Sequence, residues 1–262
     1  MSISLKDVST VMTKRAPHIV IYSIGGVGKT TLGATAAVKE KGLMILTGED
    51  GLSLLPLKEP PSHIKIGCNK EKDNLEGGWE TWKDYQNIIK QLVSETHPYK
   101  LIVQDPLSSL SNALESYVVK ERYDSDYDKA NAYGSKYQDY QTEFNRIIEA
   151  YKIMLNKGIT ILTLCHGHII DYKDPSSEPY KKWDIALPAG TRVNLATQLF
   201  NHADAVLFGC YDVTVKDGRG VGNRRVLKAD NNPAYSAKSR VGFPDKLLFD
   251  WGMIKQTLEK IK

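Results

Sequence analysis

The run Ser23-Ile24-Gly25-Gly26-Val27-Gly28-Lys29-Thr30 constrains this chain more than any other stretch. Before it lies His18-Ile19-Val20-Ile21-Tyr22, short, apolar and β-rich; after it TLGATAAVKEKG is alanine-rich with helical spacing and stops at Gly42. A glycine-rich turn leading from a buried strand into a helix N-terminus is a phosphate cradle, because backbone N–H groups surround the oxygens and the helix dipole favours their charge. The residues expected around a bound nucleotide are Ser23, Gly25, Gly26, Val27, Gly28, Lys29, Thr30 and Thr31, with ATP and Mg²⁺ as the ligands. Lys29 is expected to reach the β- and γ-phosphates and Thr30 to hold Mg²⁺. Ser23 stands where the pattern G-x-x-x-x-G-K-[ST] begins with glycine. That position needs a tight turn, which serine can form, and the three glycines nearest the ligand are present.

A phosphate loop needs a second acidic strand end. In YKLIVQDPLSSL the buried-strand run Leu101-Ile102-Val103 leads to Asp105, read as the carboxylate that positions the metal; the alternative is a solvated aspartate opening the turn at Pro106. Proline at 106 leaves no acid directly after Asp105, so a general base has to come from elsewhere. LMILTGEDGL offers a strand from Leu43 to Thr47 that ends in Glu49 and Asp50. Glu49 is the first choice for the base and Asp50 the second, against two solvated acids in a turn. In GITILTLCHGHII the strand residues Ile159 to Leu164 run out at His166, assigned to sense the γ-phosphate. A metal site at Cys165, His166 and His168 is disfavoured, since adjacent strand residues point to opposite faces.

The 262 residues are ordinary for a globular chain, with 41% hydrophobic and 25% charged residues. No apolar run has membrane-spanning length and the first residues lack a signal-peptide core, so a cytoplasmic location is expected. Three scattered cysteines, Cys68, Cys165 and Cys210, imply neither a disulfide framework nor a zinc ribbon. A net charge of +4 does not by itself imply nucleic acid, but its distribution is uneven. Lys216, Arg219, Arg224, Arg225, Lys228, Lys238 and Arg240 face only Asp217 and Asp230 in that stretch.

The order of these features resembles the phage-type RecA-like ATPases. YSIGGVGKTTL, ILTGEDGL, GGWETWKDYQNIIKQL leading to LIVQDPLSSL, AYGSKYQDYQTEFNRII, ITILTLCH and AYSAKSRVGFP carry the resemblance, from His18 to about Trp251. It implies a core RecA-like P-loop fold: a mostly parallel sheet flanked by helices, without RecA's additional domains. It also implies a protein of bacteriophage or prophage type acting in single-strand annealing or homologous recombination, assembled as a ring or filament. The position of Glu49 after the P-loop helix is similar to that of the catalytic glutamate of RecA-type enzymes. Lys238 and Arg240 then become the basic side chains that reach a neighbour's γ-phosphate, the alternative being a solvated basic turn. Nothing near the P-loop in sequence supplies an arginine, so one must come from elsewhere in the chain or from another copy.

For the remainder, residues 1–17 read as a loosely docked arm and 18–262 as one ATPase domain. WETWKDYQNIIKQLV and Thr142 to Asn156 are helical. The tyrosines Tyr117, Tyr123, Tyr127, Tyr133, Tyr137 and Tyr140 suit packing, or stacking on bases. Residues 171–192 read as a loop in which Lys181, Lys182, Trp183 and Arg192 suit single-stranded DNA, or else as a plain surface insertion. Strands joined through Lys216-Asp217-Gly218 form a C-terminal antiparallel hairpin. Two function classes follow: an ATPase acting on single-stranded DNA, and a nucleotide-dependent switch or partner-loading protein. A guanine switch is disfavoured because no N-K-x-D occurs.

Overall fold

The computed structural model describes residues 15–48, 51–67, 75–190 and 193–260. The expected strand–loop–helix is present as β1 (His18–Ser23) and α1 (Lys29–Lys39). Then come β2 (Gly42–Thr47), β3 (Ser62–Ile66), α2 (Leu75–Ser94), β4 (Leu101–Asp105), α3 (Leu107–Arg122), α4 (Tyr127–Asn131) and α5 (Lys136–Asn156). The chain continues through β5 (Thr160–Tyr172), β6 (Tyr180–Ile185), α6 (Leu195–His202), β7 (Ala205–Lys216) and β8 (Arg219–Lys228). It ends with β9 (Lys238–Ser239), β10 (Lys246–Leu248) and α7 (Trp251–Glu259).

The sheet runs β10-β8-β7-β1-β5-β4-β2-β3, with β6 paired to β5 and β9 to β7. From β7 to β3 every pairing along this order is parallel, while β8 and β10 add on antiparallel. This is the mostly parallel, helix-flanked α/β core with a C-terminal antiparallel hairpin that the sequence implies. One strand, β5, separates the strand carrying the P-loop from the strand ending in Asp105.

Strand periodicity divides the core into two layers. Ile19, Ile21, Leu101, Val103, Leu162, Leu164, Leu207 and Leu227 pack with α1 and α7. Val20, Tyr22, Ile102, Ile161, Cys165, Val206 and Phe208 pack on the other face with α2, α3, α5 and α6. Helix α1 approaches the sheet closely at Gly33, where an added Cβ would lie 2.8 Å from Leu164 Cδ1 and 3.0 Å from Val103 Cγ1. A side chain at Gly33 would push outward the helix whose N-terminus forms the phosphate loop.

Two antiparallel hairpins leave the sheet beside the P-loop strand. Ser23 is level with His166 on β5 and with Gly209 on β7. Both strands continue past that level, to Tyr172 and Lys216. At about 3.3 Å per residue each overshoots by roughly 20 Å. The β7–β8 turn uses Asp217 (φ 50°) and Gly218 (φ 71°), the left-handed pair of a tight hairpin turn.

The reading of 171–192 as a loop is corrected: Lys181, Lys182 and Trp183 lie on β6, paired with β5. Trp183 is half-buried, its ring 5.8 Å from Phe208, which in turn stacks on Tyr235 at 5.1 Å. Lys181 pairs with Asp171, and Lys182 lies over the Tyr172 ring. Arg192 lies outside the described residues. Among the tyrosines, Tyr140 is buried, Tyr117, Tyr123 and Tyr137 pack partly buried against the core, and Tyr127 is exposed. Packing therefore takes most of the tyrosine-rich segment. Among the described residues no helix is long and apolar enough to cross a membrane.

Candidate functional site

The site lies where the parallel strands end. Gly28 caps α1 in the left-handed region (φ 98°, ψ 32°), and Gly26 also has positive φ (74°). Only glycine takes these angles without strain. Added Cβ atoms at Gly25 and Gly26 would have nothing within 4 Å, so the inner surface of the turn is open. The first turn of α1 contains no acidic residue, and the first-turn N–H groups at Lys29, Thr30 and Thr31 precede the start of the intrahelical ladder at Leu32, which donates to Gly28. Such a terminus favours an anion.

The serine at the first position has a structural role. Ser23 is fully buried and its Oγ accepts from Lys29 Nζ at 3.0 Å while donating to the Ile24 carbonyl at 2.9 Å. Lys29 also donates to the Ile24 carbonyl at 3.3 Å. The register partner of the serine on β7 is Gly209, and on β5 its partner His166 is followed by Gly167. A Cβ at Gly209 would come 3.0 Å from Ser23 Cβ, and one at Gly167 would come 3.3 Å from the Ser23 carbonyl. The flanking strands are thus cut back where the loop leaves the sheet.

Period-two alternation brings the other groups to the α1 side. Asp105 shares the parity of Leu101 and Val103, and His166 that of Leu162 and Leu164. Asp105 is 1% exposed. Burial pushes the Cys165 thiol up, with Lys29 pulling against it and Asp105 adding to it, so both charges lie within electrostatic range of one point. The His166 imidazole is held below its ordinary value by burial and then by Lys29. Its backbone N–H donates to Ser108 Oγ at 2.9 Å, tying the middle of β5, level with the end of β1, to the start of α3. Cys165 packs on the opposite face from His166, and among the described residues no group of three or more His, Cys, Asp or Glu could hold a metal by itself.

Lys29, Thr30, Asp105 and His166 therefore converge at one strand edge. Glu49 and Asp50 lie outside the described residues, two and three positions beyond the last residue of β2. Lys238 and Arg240 do not join this chain's site. Lys238 pairs at Val206, which is level with Val20, and the Arg240 N–H donates to the Asp204 carbonyl before β7 begins. This is the edge where β1 starts, roughly 15 Å from where it ends at about 3.3 Å per residue. Lys238 donates to the Asn201 carbonyl at 3.3 Å and lies over the Phe200 ring; burial and then Arg240 push its ammonium down to about 8.

Sequence reasoning missed two groups near the loop. Gln104 Nε2 donates to Thr47 Oγ1 at 2.8 Å, fastening the ends of β4 and β2 together. Arg225 of β8 donates from Nη1 to the Val27 carbonyl at 3.2 Å. Its basic neighbourhood was legible in the sequence, but its contact with the loop bridges 198 residues and carried no local signal.

A positive-φ glycine turn between a buried strand and a helix, closed by a lysine and faced by a buried aspartate on a parallel strand, defines a P-loop nucleotide-binding protein. The chain belongs to the AAA domain family, whose model matches residues 15–241. No curated protein matches it in sequence. Among solved structures it is similar to the RadB recombinase, with 17% identity over 82% of this chain and 81% of that one and a TM-score of 0.44.

Proposed function

We propose that this chain binds ATP with Mg²⁺ and hydrolyses it as a RecA-like enzyme acting on single-stranded DNA, in recombination or strand annealing of the phage type. The observation that carries the nucleotide reading is the convergence of the open glycine turn, Lys29, Thr30 and buried Asp105 at one strand edge. Lys29 exchanges its bonds to Ser23 and Ile24 for phosphate oxygens. Thr30 and Asp105 are the oxygen donors for Mg²⁺, which when bound neutralises phosphate charge. Glu49 takes the proton of the attacking water, with Asp50 as the second choice, and His166 senses the γ-phosphate. Lys238 and Arg240, at the opposite edge of the sheet, serve a neighbouring copy in a ring or filament.

The DNA part rests on the basic β7–β8 hairpin, where Lys216, Arg219 and Arg224 are exposed beside the P-loop strand. The engagement of Lys181, Lys182 and Trp183 on β6 weakens the claim of the β5–β6 hairpin to bases and favours the second reading, a nucleotide-dependent switch that loads a partner. One experiment separates them: ATP turnover with and without single-stranded DNA, for the wild type, Lys29→Ala and Glu49→Gln. Turnover that DNA stimulates, with Lys29→Ala failing to bind ATP and Glu49→Gln binding it but slowed roughly 10²-fold or more, supports the first reading. Turnover indifferent to DNA, with no DNA retention at low salt, leaves the switch. Unchanged ATP affinity in Lys29→Ala removes both.

A further inference from the structure

The sequence offers no arginine beside the phosphate loop, yet the fold delivers one in the same chain. Arg225 pairs with Tyr211 near the root of the β7–β8 hairpin and shares the parity of Leu227, so it faces the α1 side of the sheet as Ser23 and Asp105 do. Its Nη1 donates to the Val27 carbonyl at 3.2 Å. An added Cβ at Gly28 would lie 2.7 Å from that same nitrogen, so the guanidinium rests directly against the residue before Lys29. Gly28 is glycine for its φ of 98°, and a side chain there would also have to displace the guanidinium.

A guanidinium has five N–H donors in a planar fork. Among the described residues the Val27 carbonyl is the one acceptor this guanidinium uses, and Arg225 is exposed. A cation held against the loop backbone, with donors to spare and no carboxylate paired to it among the described residues, is positioned for an anion bound in that loop. We propose that Arg225 is a further nucleotide-binding residue, carried to the phosphate loop in cis by the β7–β8 hairpin and contacting the polyphosphate of the bound nucleotide. The inference rests on the reading of the loop as a nucleotide site. Its consequence is that the root of the hairpin belongs to the nucleotide site, while the tip, with Val213, Val215 and Val221 exposed, does not.

The test is calorimetric titration of the full chain with Mg-ATPγS and with adenosine, for the wild type, Arg225→Ala, Arg225→Gln and Lys29→Ala. Arg225→Gln keeps an N–H able to reach the Val27 carbonyl but removes the charge, so it separates phosphate binding from bracing of the loop. The expected result is ATPγS affinity about 10- to 100-fold weaker in both Arg225 variants, as for a lost charge-assisted hydrogen bond, with native melting curves retained. Adenosine, lacking phosphates, should show no such difference. Wild-type ATPγS affinity in Arg225→Gln makes Arg225 a brace and overturns the proposal, as does wild-type affinity in Arg225→Ala. If Lys29→Ala weakens ATPγS binding while the Arg225 variants do not, this inference alone fails. If Lys29→Ala is also silent, the reading of the loop fails with it.

Discussion

Replacing Ser23 by the glycine usual at that position should move stability and affinity in opposite directions. The hydroxyl accepts from Lys29 Nζ at 3.0 Å, with Ser23 fully buried and Lys29 7% exposed, so solvent screens this bond little. A hydrogen bond to a charged group contributes about 1.5 kcal/mol at the low end. Lys29 keeps its bond to the Ile24 carbonyl, which argues for that low end. Glycine at the end of a strand costs roughly a further 0.5 kcal/mol in backbone entropy. The ligand-free protein should therefore lose about 2 kcal/mol, a fall in Tm of about 4–8 °C for a chain of this size. The bound state loses less, because Lys29 must leave Ser23 to reach a phosphate. ATP affinity should then rise by up to about tenfold, the equivalent of 1.4 kcal/mol. Differential scanning fluorimetry without and with Mg-ATPγS, followed by calorimetry, reads both quantities. Weaker ATP binding in Ser23→Gly would show that the hydroxyl serves the bound nucleotide, and the reasoning would be refuted.

Two other outcomes are expected. His18 and His202 share a hydrogen bond between their Nδ1 atoms at 2.9 Å; burial and then His202 hold His18 well below its ordinary value, and burial followed by Lys152 holds His202 down to about 4. The unfolded chain takes up protons near pH 6.5 that the native pair refuses, so stability is full above that pH and falls toward about 4, at up to about 1.4 kcal/mol per pH unit for each proton excluded. A Tm unchanged between about pH 7.5 and 5 would contradict this linkage. In the assembly reading, Arg240→Ala should bind ATP yet lose about 10³-fold or more in turnover. Mixing it with Lys29→Ala should restore part of the rate, and specific activity that does not vary with protein concentration would count against a site completed by a neighbour.

The legible parts of this molecule are those whose chemistry is consecutive in the chain. The turn from Ser23 to Thr30 announces itself because strand, glycines, lysine and helix adjoin, and Asp105 because an apolar run ends in an acid. The hairpin through Asp217 and Gly218 follows from turn residues between two strand-like runs. Strand β6 was hidden because its partner is the overshooting end of β5, and Tyr180 to Ile185 has no alternation that outweighs its charges. Trp183 resembled an exposed stacking residue until the fold placed Phe208 and Tyr235 around it. The placement of Lys238 and Arg240 followed from the pairing of β9 with the beginning of β7, which no local pattern encodes. Arg225 was visible only as one charge among several.

Strand β1 is near the start of the chain, yet both strands that hold it come late. His18 pairs with Ile161, and Ile19 with Ala205. A ribosome that has released the chain as far as residue 150 has released the whole glycine turn but neither of its neighbours. Closing loops of this length costs entropy that only the completed pairings offset. The phosphate loop is synthesised well before the two strands that hold it and is assembled only after them, so a chain truncated before β7 carries the motif without the complete site.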